Sequence, residues 1–193
     1  MALKPAPINI DCRIPRNVIH QILGGPVKTL VEVGVHCGDN AFEMWYYLRP
    51  DKTWLIDPWS SSHPAGYGGN TQADWDECYE FVKSRFSTFN NIEILRTTSE
   101  EGSKVLPNDL DFVYIDADHS YESCSLDISL WWPKVRDGGI LGGDDYSYDT
   151  VVKAVHEFMT PLVRSNPEYR LFISPSKTQW WVIKQKKNSF IIR

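Results

Sequence analysis

One stretch, from Asp111 to Tyr146, limits the folds open to this chain more than any other. Two short apolar runs in it, Phe112 to Ile115 and Gly139 to Leu141, are each followed by carboxylates, and the segment between them, Tyr121 to Trp132, has the length of a helix. A strand, a crossover helix and a second strand of this length form a right-handed parallel unit. Both strands then end at the same edge of one sheet.

The carboxylates after the two runs are predicted to crowd together. Neighbouring strands lie about 5 Å apart, so the sheet edge would collect the side chains of Asp116, Asp118, Asp144 and Asp145. Such crowding costs free energy unless a cation or shared protons relieve the repulsion. The pattern therefore indicates a metal site. The alternative is an ordinary turn at Asp144 and Asp145 after a glycine-rich strand.

The rest of the chain alternates strands with helices. The patterns predict five strands separated by helices, then a further helix and a hairpin formed by Tyr169 to Ile173 and Thr178 to Ile183. Alternation implies a parallel sheet covered by helices on both faces, and the hairpin adds one antiparallel strand. We predict a single-domain α/β fold with a Rossmann-like, doubly wound, mostly parallel seven-stranded sheet. The domain spans residues 1–193, with residues 1–15 as an extended N-terminal arm.

Composition narrows the classes of function. A net charge of −5 argues against a dedicated nucleic-acid binder, and no apolar run approaches the roughly 18 residues that span a membrane. The start, MALKPAPINIDC, lacks the hydrophobic core of a signal peptide, so we expect a cytoplasmic protein without a membrane partner. A homo-oligomer that docks through the arm is compatible with the sequence but is not required by it.

The four cysteines are widely scattered and form no CxxC pair. This spacing argues against a zinc or disulfide framework. Cys37 lies in a loop where it could approach a ligand, but we interpret it as a small packed thiol.

A glycine-containing loop follows the first clear strand, Thr29 to Val35. It reads Glu32-Val-Gly34-Val-His-Cys-Gly38 and leads into a helix. Glycines let the backbone approach a ligand, and the helix start supplies free N–H groups. The E-x-G-x-x-x-G spacing differs from the G-x-G-x-x-G pattern that cradles a pyrophosphate, which disfavours a nicotinamide-dependent oxidoreductase. Asp57, about twenty residues later at the end of the second strand, is placed to accept hydrogen bonds from ribose hydroxyls; a capping role before Pro58 is the alternative.

With these motifs the chain resembles the class I S-adenosylmethionine-dependent methyltransferases. The resemblance runs from VEVGVHCG through LIDPW and DFVYIDADHSY to DGGILGGDDY and the closing hairpin. It implies S-adenosylmethionine as cofactor. It assigns these residues to the cofactor site: Glu32, Gly34 and Gly38 around the methionine part, Asp57 at the ribose, Ser99 near the adenine, and Asp116.

The DADH and GGDDY segments resemble the metal-dependent O-methyltransferases, a group that includes the catechol and caffeoyl-coenzyme A enzymes and sugar-modifying enzymes of antibiotic pathways. The resemblance implies that Asp116, Asp144 and Asp145 bind Mg²⁺ or another divalent cation. Carboxylate oxygens suit the octahedral preference of Mg²⁺. A bound dication would lower the pKa of an acceptor hydroxyl and fix its oxygen in line with the methyl group.

Two neighbouring residues compete for the role of general base. His119 occupies the position where several relatives carry a lysine, and its ordinary pKa near 6.5 suits proton abstraction at neutral pH. Asp118 is the competitor, since some sugar-modifying relatives use an acid there. In a third interpretation His119 only begins a helix and touches solvent or a metal-bound water.

The expected acceptor is a small hydroxylated molecule, a sugar or glycan unit. The alternatives are a catechol-like phenol, or a non-catalytic module that binds S-adenosylmethionine. The segment from Trp59 to Trp75 could form a lid whose aromatic side chains, together with His63 and Tyr67, stack on a ring, or it could be a structural surface loop.

Overall fold

The computed structural model describes residues 8–9, 16–62, 70–174, 176 and 178–185. The strands are β1 (Ile8–Asn9), β2 (Thr29–Val33), β3 (Lys52–Asp57), β4 (Ile92–Arg96), β5 (Leu110–Ile115), β6 (Val135–Gly143), β7 (Leu171–Ile173) and β8 (Trp180–Ile183). The helices are α1 (Arg16–Leu23), α2 (Asp39–Leu48), α3 (Gln72–Arg85), α4 (Ser99–Val105), α5 (Tyr121–Trp131) and α6 (Asp149–Ser165), and a 3₁₀ turn at Trp132–Lys134 follows α5.

The strands form one sheet in the order β1-β7-β8-β6-β5-β2-β3-β4. Strands β2 to β6 pair in parallel, while β8 runs antiparallel to both β6 and β7. The predicted Rossmann-like, mostly parallel sheet of seven strands with a C-terminal antiparallel hairpin is therefore confirmed. The two-residue strand β1, from the predicted arm, adds an eighth strand at the edge beside β7. Residues 1–7 and 10–15 of the arm lie outside the described residues.

Alternate residues of the central strands pack into separate hydrophobic clusters. Leu30 of β2 and Phe112 of β5 join a cluster with α1 and α2, whereas Val31 and Val113, one position further along, join a cluster with α5 and α6. Because side chains alternate between the two faces of a strand, helices cover both faces of the sheet. These strands therefore read as continuous apolar runs rather than as alternating ones.

The pairing of β5 with β6 has the register on which the acidic site depends. Ile115 pairs with Gly143, so Asp116 and Asp144 leave adjacent strands at the same level. A side chain at position 143 would not fit, because a Cβ there would lie 2.5 Å from the carbonyl oxygen of Ile115 and 2.9 Å from the indole nitrogen of Trp180. The glycines that end β6 thus allow the antiparallel strand β8 to pack closely.

The N-caps of α2 and α4 each lie one residue before another residue of a type that commonly caps helices. The N-cap of α2 is Gly38, in a left-handed conformation with φ 76°, rather than Asp39. The N-cap of α4 is Thr98 rather than Ser99, because the Thr98 hydroxyl accepts a hydrogen bond from the backbone N–H of Glu101. Ser99 becomes the first helical residue, which turns its hydroxyl toward other partners.

Crossing a membrane requires a long apolar helix, and none of the helices in the described residues has that length and apolarity.

Candidate active site

A cavity of about 280 Å³ lies at the C-terminal ends of the central strands. Its lining residues are Val33, Gly34, His36, Ile56, Asp57, Pro58, Ser60, Trp75, Thr98, Ser99, Glu100, Asp116, Ala117, Asp118, His119, Ser123, Leu126 and Asp127. They come chiefly from the loops after β2, β3, β4 and β5 and from the start of α5. The strand order reverses between β2 and β5, and ligands of doubly wound sheets bind at this switch point.

A second, ion-sized cavity of about 10 Å³ adjoins the first. Its lining residues are Ile115, Asp116, Ala117, Asp118, His119, Cys124, Asp144, Asp145, Val151 and Trp180. The loop 116–119 lines both cavities. Six of the predicted site residues line the larger cavity, namely Gly34, Asp57, Ser99, Asp116, Asp118 and His119, while Asp144 and Asp145 line the smaller one.

Gly34 brings the loops after β2 and β5 into contact. Its φ is +85°, and a Cβ at this position would lie only 1.9 Å from the backbone oxygen of Asp116. Only glycine combines this conformation with so close an approach. The glycine therefore joins the two loops that form one wall of the cavity.

The Asp57 carboxylate, at the end of β3, forms hydrogen bonds with the loop that follows the neighbouring strand β2. Its Oδ2 accepts hydrogen bonds from the backbone N–H groups of Val35 (2.8 Å) and His36 (3.0 Å), and its Oδ1 accepts one from Trp59 (2.7 Å). The side chain is largely buried but still lines the cavity. The bond from Trp59 is of the capping kind that the sequence offered as an alternative for Asp57, whereas the bonds from Val35 and His36 were not predicted.

Glu32 and Gly38 do not line the cavity and instead support the segment that leads into α2. Glu32 is buried, and its Oε1 accepts a hydrogen bond of 2.7 Å from the side-chain amide of Asn40. A Cβ on Gly38 would lie 2.9 Å from the ring of Phe86. Both residues therefore support the loop between β2 and α2 through contacts outside the cavity.

Ser99 lies at the opposite side of the cavity, at the start of α4. Its hydroxyl accepts a hydrogen bond of 2.9 Å from the indole N–H of Trp131. Trp131 is fully buried, so this contact ties the start of α4 to the end of α5. Thr98 and Glu100 line the cavity beside it.

The aspartates after β5 and β6 repel one another. Burial, followed by the charges of Asp144 and Asp145, raises the pKa of Asp116 to about 7. Burial and the charge of Asp144 also raise the pKa of Asp145, while His119 opposes that change. Within the described chain, the oxygens of these three carboxylates do not all come within 4.8 Å of one another. The three acids thus line a small, negatively charged cavity, but their oxygens lie too far apart to form a compact cluster of ligands.

His119 is held between the acidic cluster and the start of α6. Its Nδ1 lies 3.5 Å from Oδ2 of Asp145. Its ring stacks on Tyr148 with the ring centroids 4.5 Å apart and the planes 15° from parallel. Its backbone oxygen accepts a hydrogen bond of 2.7 Å from the Thr150 hydroxyl. The imidazole is about 40% exposed, so it is both oriented and accessible.

Asp118 is hydrogen-bonded to the start of α5, whose N-cap is Ser120. Its Oδ1 accepts a hydrogen bond from the backbone N–H of Ser120 (2.8 Å), and its Oδ2 accepts one from the Ser123 hydroxyl (2.9 Å). Each oxygen thus accepts one hydrogen bond and keeps a lone pair for another. These contacts orient the carboxylate at the start of α5.

Residues 31–146, more than half of the chain, match the family model described as a methyltransferase domain. The chain belongs to this methyltransferase family. No curated protein sequence matches it.

Solved structures show the same fold for this methyltransferase domain. The O-methyltransferase NovP superposes with a TM-score of 0.65 at 21% identity, covering 89% of this chain and 78% of NovP. The Streptococcus mutans protein SMU.1697c, in complex with S-adenosylhomocysteine (SAH), gives 0.63 at 11% identity, covering 90% and 99%. The SAH-bound methyltransferase PaMTH1 of Podospora anserina gives 0.61 at 13% identity, covering 92% and 80%. The class I S-adenosylmethionine-dependent methyltransferase fold predicted from the motifs is confirmed.

Trp59 and Trp75, the two ends of the segment that the sequence suggested as a lid, have different roles in the methyltransferase domain. Trp59, which the sequence assigned to either a lid or a structural surface loop, is fully buried and donates its indole N–H to the backbone oxygen of His36 at 2.9 Å. Trp75 lines the cavity and meets the His36 ring edge to face, with the centroids 5.8 Å apart. His63 and Tyr67, the other residues of the proposed lid, lie outside the described residues.

His36 was the cavity residue that sequence reasoning missed. It lies in the loop between β2 and α2, with a left-handed backbone at φ 48°. Its position in the glycine-containing loop was the one feature of the sequence that could have indicated a place at the cavity. It does not form a metal-ligand spacing with another histidine.

Proposed function

We propose that this methyltransferase transfers a methyl group from S-adenosylmethionine to a hydroxyl of a small molecule, a sugar or glycan unit, with the help of a divalent cation. One observation carries the proposal. The larger cavity, at the position where this fold binds ligands, shares the loop 116–119 with the small acidic cavity. A cofactor in the first cavity and a hydroxyl oriented by the second would meet at this loop.

The cofactor half of the proposal rests on the first two strands. Gly34 lets the backbone approach a ligand closely, and Asp57 lines the cavity while keeping its carboxylate oriented by three backbone N–H groups. An oriented carboxylate can accept a further hydrogen bond from a ribose hydroxyl. Ser99, across the cavity, is the proposed neighbour of the adenine. Two structural neighbours with this fold were solved with SAH, which supports the same class of cofactor here.

The donor chemistry of the acidic cavity fits a hard dication. Asp116, Asp144 and Asp145 would hold it, since their carboxylate oxygens are the ligands that Mg²⁺ prefers. Burial and then the charges of Asp144 and Asp145 raise the pKa of Asp116, and a bound cation would relieve the repulsion among the three acids. When bound, Mg²⁺ would supply the positive charge that lowers the pKa of an acceptor hydroxyl.

His119 is the proposed general base. Asp145 faces its Nδ1, and Tyr148 covers one face of its ring. With Nδ1 facing Asp145, Nε2 would accept the proton, and the Asp145 carboxylate would stabilise the imidazolium that forms after proton transfer. His119 is preferred over Asp118 because histidine is the side chain that most often serves as a general base near neutral pH, and because the His119 ring is oriented by Asp145 and Tyr148.

A flat surface beside His119 is the proposed docking face for the acceptor. Tyr148 is 48% exposed although it stacks on the imidazole, and Leu126, also 48% exposed, lines the nearby cavity. Exposed aromatic and apolar groups bind the flat faces of sugar and phenol rings. A sugar is preferred because the DADH and DDY segments resemble the sugar-modifying relatives; a catechol-like phenol is the alternative.

Calorimetric titration with SAH tests the cofactor half directly. We expect saturable binding of one SAH per chain. Asp57→Asn should weaken it by at least about tenfold, because loss of charge removes about 1.5–3 kcal/mol from hydrogen bonds of this kind. Asp51→Asn is the matched control, since Asp51 is exposed and lies just before the opposite end of β3. Absence of SAH binding in the folded parent would refute the proposed function.

A further inference from the structure

A cluster of soft metal ligands lies beside the larger cavity and apart from the acidic one. Within the described residues, His36, Cys37 and Cys78 form the one group of three ligating side chains whose donor atoms all lie within 4.8 Å of one another. The two thiol sulfurs are 3.0 Å apart, and Nε2 of His36 is 4.0 Å from the sulfur of Cys37. Neither cysteine forms a disulfide.

Hydrogen bonds hold the elements that carry these donors. The backbone of His36 donates to Asp57 and accepts from the indole of Trp59. The backbone oxygen of Cys37 accepts a hydrogen bond of 3.1 Å from Arg85, which lies on α3 with Cys78. The three donors are therefore positioned before any ion binds, which lowers the cost of assembling a site.

An ion can reach the cluster from solvent. Both thiols are partly buried and His36 is exposed, so a bound ion would keep one coordination position open to water.

We propose that His36, Cys37 and Cys78 bind one thiophilic divalent metal ion, with Zn²⁺ as the representative. Zinc binds sulfur at about 2.3 Å and histidine nitrogen at about 2.0–2.1 Å, and two sulfurs of a tetrahedral site stand roughly 3.8 Å apart. The observed separation of 3.0 Å would open by less than about 1 Å. Each cysteine releases one proton to solvent on binding. Water completes the coordination.

Two features distinguish this site from the acidic one. It offers two sulfurs and an imidazole, which select zinc over magnesium, whereas the carboxylates select the hard cation. It also includes His36, which lines the larger cavity against Trp75. A bound ion would therefore fix the loop between β2 and α2 at the rim of the cavity. The proposal does not depend on the reaction that the cavity supports.

Competitive zinc titration of the full chain tests the site. The protein is reduced, stripped with a chelator, and titrated against a chromophoric zinc indicator. We expect one tight zinc per chain, weakened by more than about 100-fold in Cys37→Ser and in Cys78→Ser, since loss of even an outer partner costs roughly 10- to 100-fold. Glu80→Gln, which alters an exposed residue on the same helix as Cys78, should bind zinc like the parent. His36→Ala alters an exposed side chain and should also weaken zinc binding.

X-ray absorption of the zinc-loaded parent identifies the ligands. Sulfur neighbours at about 2.3 Å together with a histidine nitrogen are the expected result. A zinc shell of oxygen and nitrogen alone would overturn the proposal, because it would place the ion at the aspartates. Equal zinc affinity in the parent and Cys37→Ser would overturn it as well. So would a reduced parent that takes up no zinc and forms only a disulfide between Cys37 and Cys78 on oxidation.

Discussion

Nδ1 of His119 lies 3.5 Å from the Asp145 carboxylate, which joins the loop after β5 to the loop after β6. The pair exists because β5 and β6 are parallel neighbours in a register that ends both strands at the same level. The proposed proton acceptor and the acidic cavity therefore form one unit. Changes to either residue should affect both proton transfer and cation binding.

Kinetic measurements can distinguish His119 from Asp118 as the general base. His119→Ala should lower kcat by about 10² to 10⁴, the usual contribution of a general base. Asp118→Asn should lower kcat by no more than a few fold, because an amide oxygen can still accept the hydrogen bond from the backbone N–H of Ser120. Steady-state rates with saturating cofactor and acceptor provide the measurement. The opposite ranking would assign the proton to Asp118.

The raised pKa of Asp116 predicts how stability depends on pH. Its pKa is about 7 in the folded chain against 3.8 ordinarily, so the folded state holds the proton more tightly than the unfolded state. The resulting stabilisation is complete below about pH 4 and is lost as the pH rises through 7. Urea unfolding in EDTA should show a loss of roughly 2 kcal/mol or more from this group, with about 4 kcal/mol as the upper limit.

Asp116→Asn is the variant that isolates this contribution. It removes the titrating group while keeping its size, so the stability of the variant should fall less between pH 4.5 and 8 than that of the parent. If the free energy of unfolding depended on pH equally in the two proteins, the pKa of Asp116 would not be raised by folding.

Divalent cations should stabilise the fold through the acidic cavity. Mg²⁺ at 100 times its dissociation constant adds about 2.7 kcal/mol to the free energy of unfolding of a protein with one site. The melting temperature of the parent at pH 8 should therefore rise with Mg²⁺ and fall again with EDTA. The double variant Asp144→Asn/Asp145→Asn should not respond. A response equal to that of the parent would place the cation elsewhere.

Gly34 should tolerate no side chain. Gly34→Ala would force a Cβ to within 1.9 Å of the Asp116 backbone and strain a φ of +85°, so we expect destabilisation of about 1–3 kcal/mol and loss of SAH binding. Gly25→Ala is the matched control, because a Cβ at that position would have no neighbouring atom within 4 Å. Thermal melts and SAH titrations of the two variants give the comparison. Unchanged binding in Gly34→Ala would refute the role of this loop contact.

The sequence was sufficient to locate the acids because their positions follow from strand periodicity. A residue that follows a parallel strand must lie at one edge of the sheet, so Asp57, Asp116 and Asp144 could be placed without knowing any side-chain contact. The helix caps were less predictable. Ser99 and Thr98 are both good N-cap residues, and the choice depends on a one-residue difference in where the backbone turns.

Contacts between distant elements could not be predicted from the sequence. Cys37 and Cys78 are 41 residues apart, and they meet only because α3 packs beside the loop between β2 and α2. For the same reason, Trp59 could not be recognised as buried. Its position in a segment rich in glycine and serine suggested a surface loop, whereas the hydrogen bond to His36 and the packing against Tyr79 place it in the core.

Transfer of a labelled methyl group tests the central claim most directly. The parent and the Asp144→Asn/Asp145→Asn variant are incubated with labelled S-adenosylmethionine and a panel of sugars and catechols, with Mg²⁺ or with EDTA. We predict that the parent labels a hydroxyl oxygen of a sugar, that EDTA abolishes the reaction, that Mg²⁺ restores it, and that the variant is inactive. Labelling that proceeds equally in EDTA and in the variant, or a parent that binds the cofactor but methylates no hydroxyl, would contradict the claim.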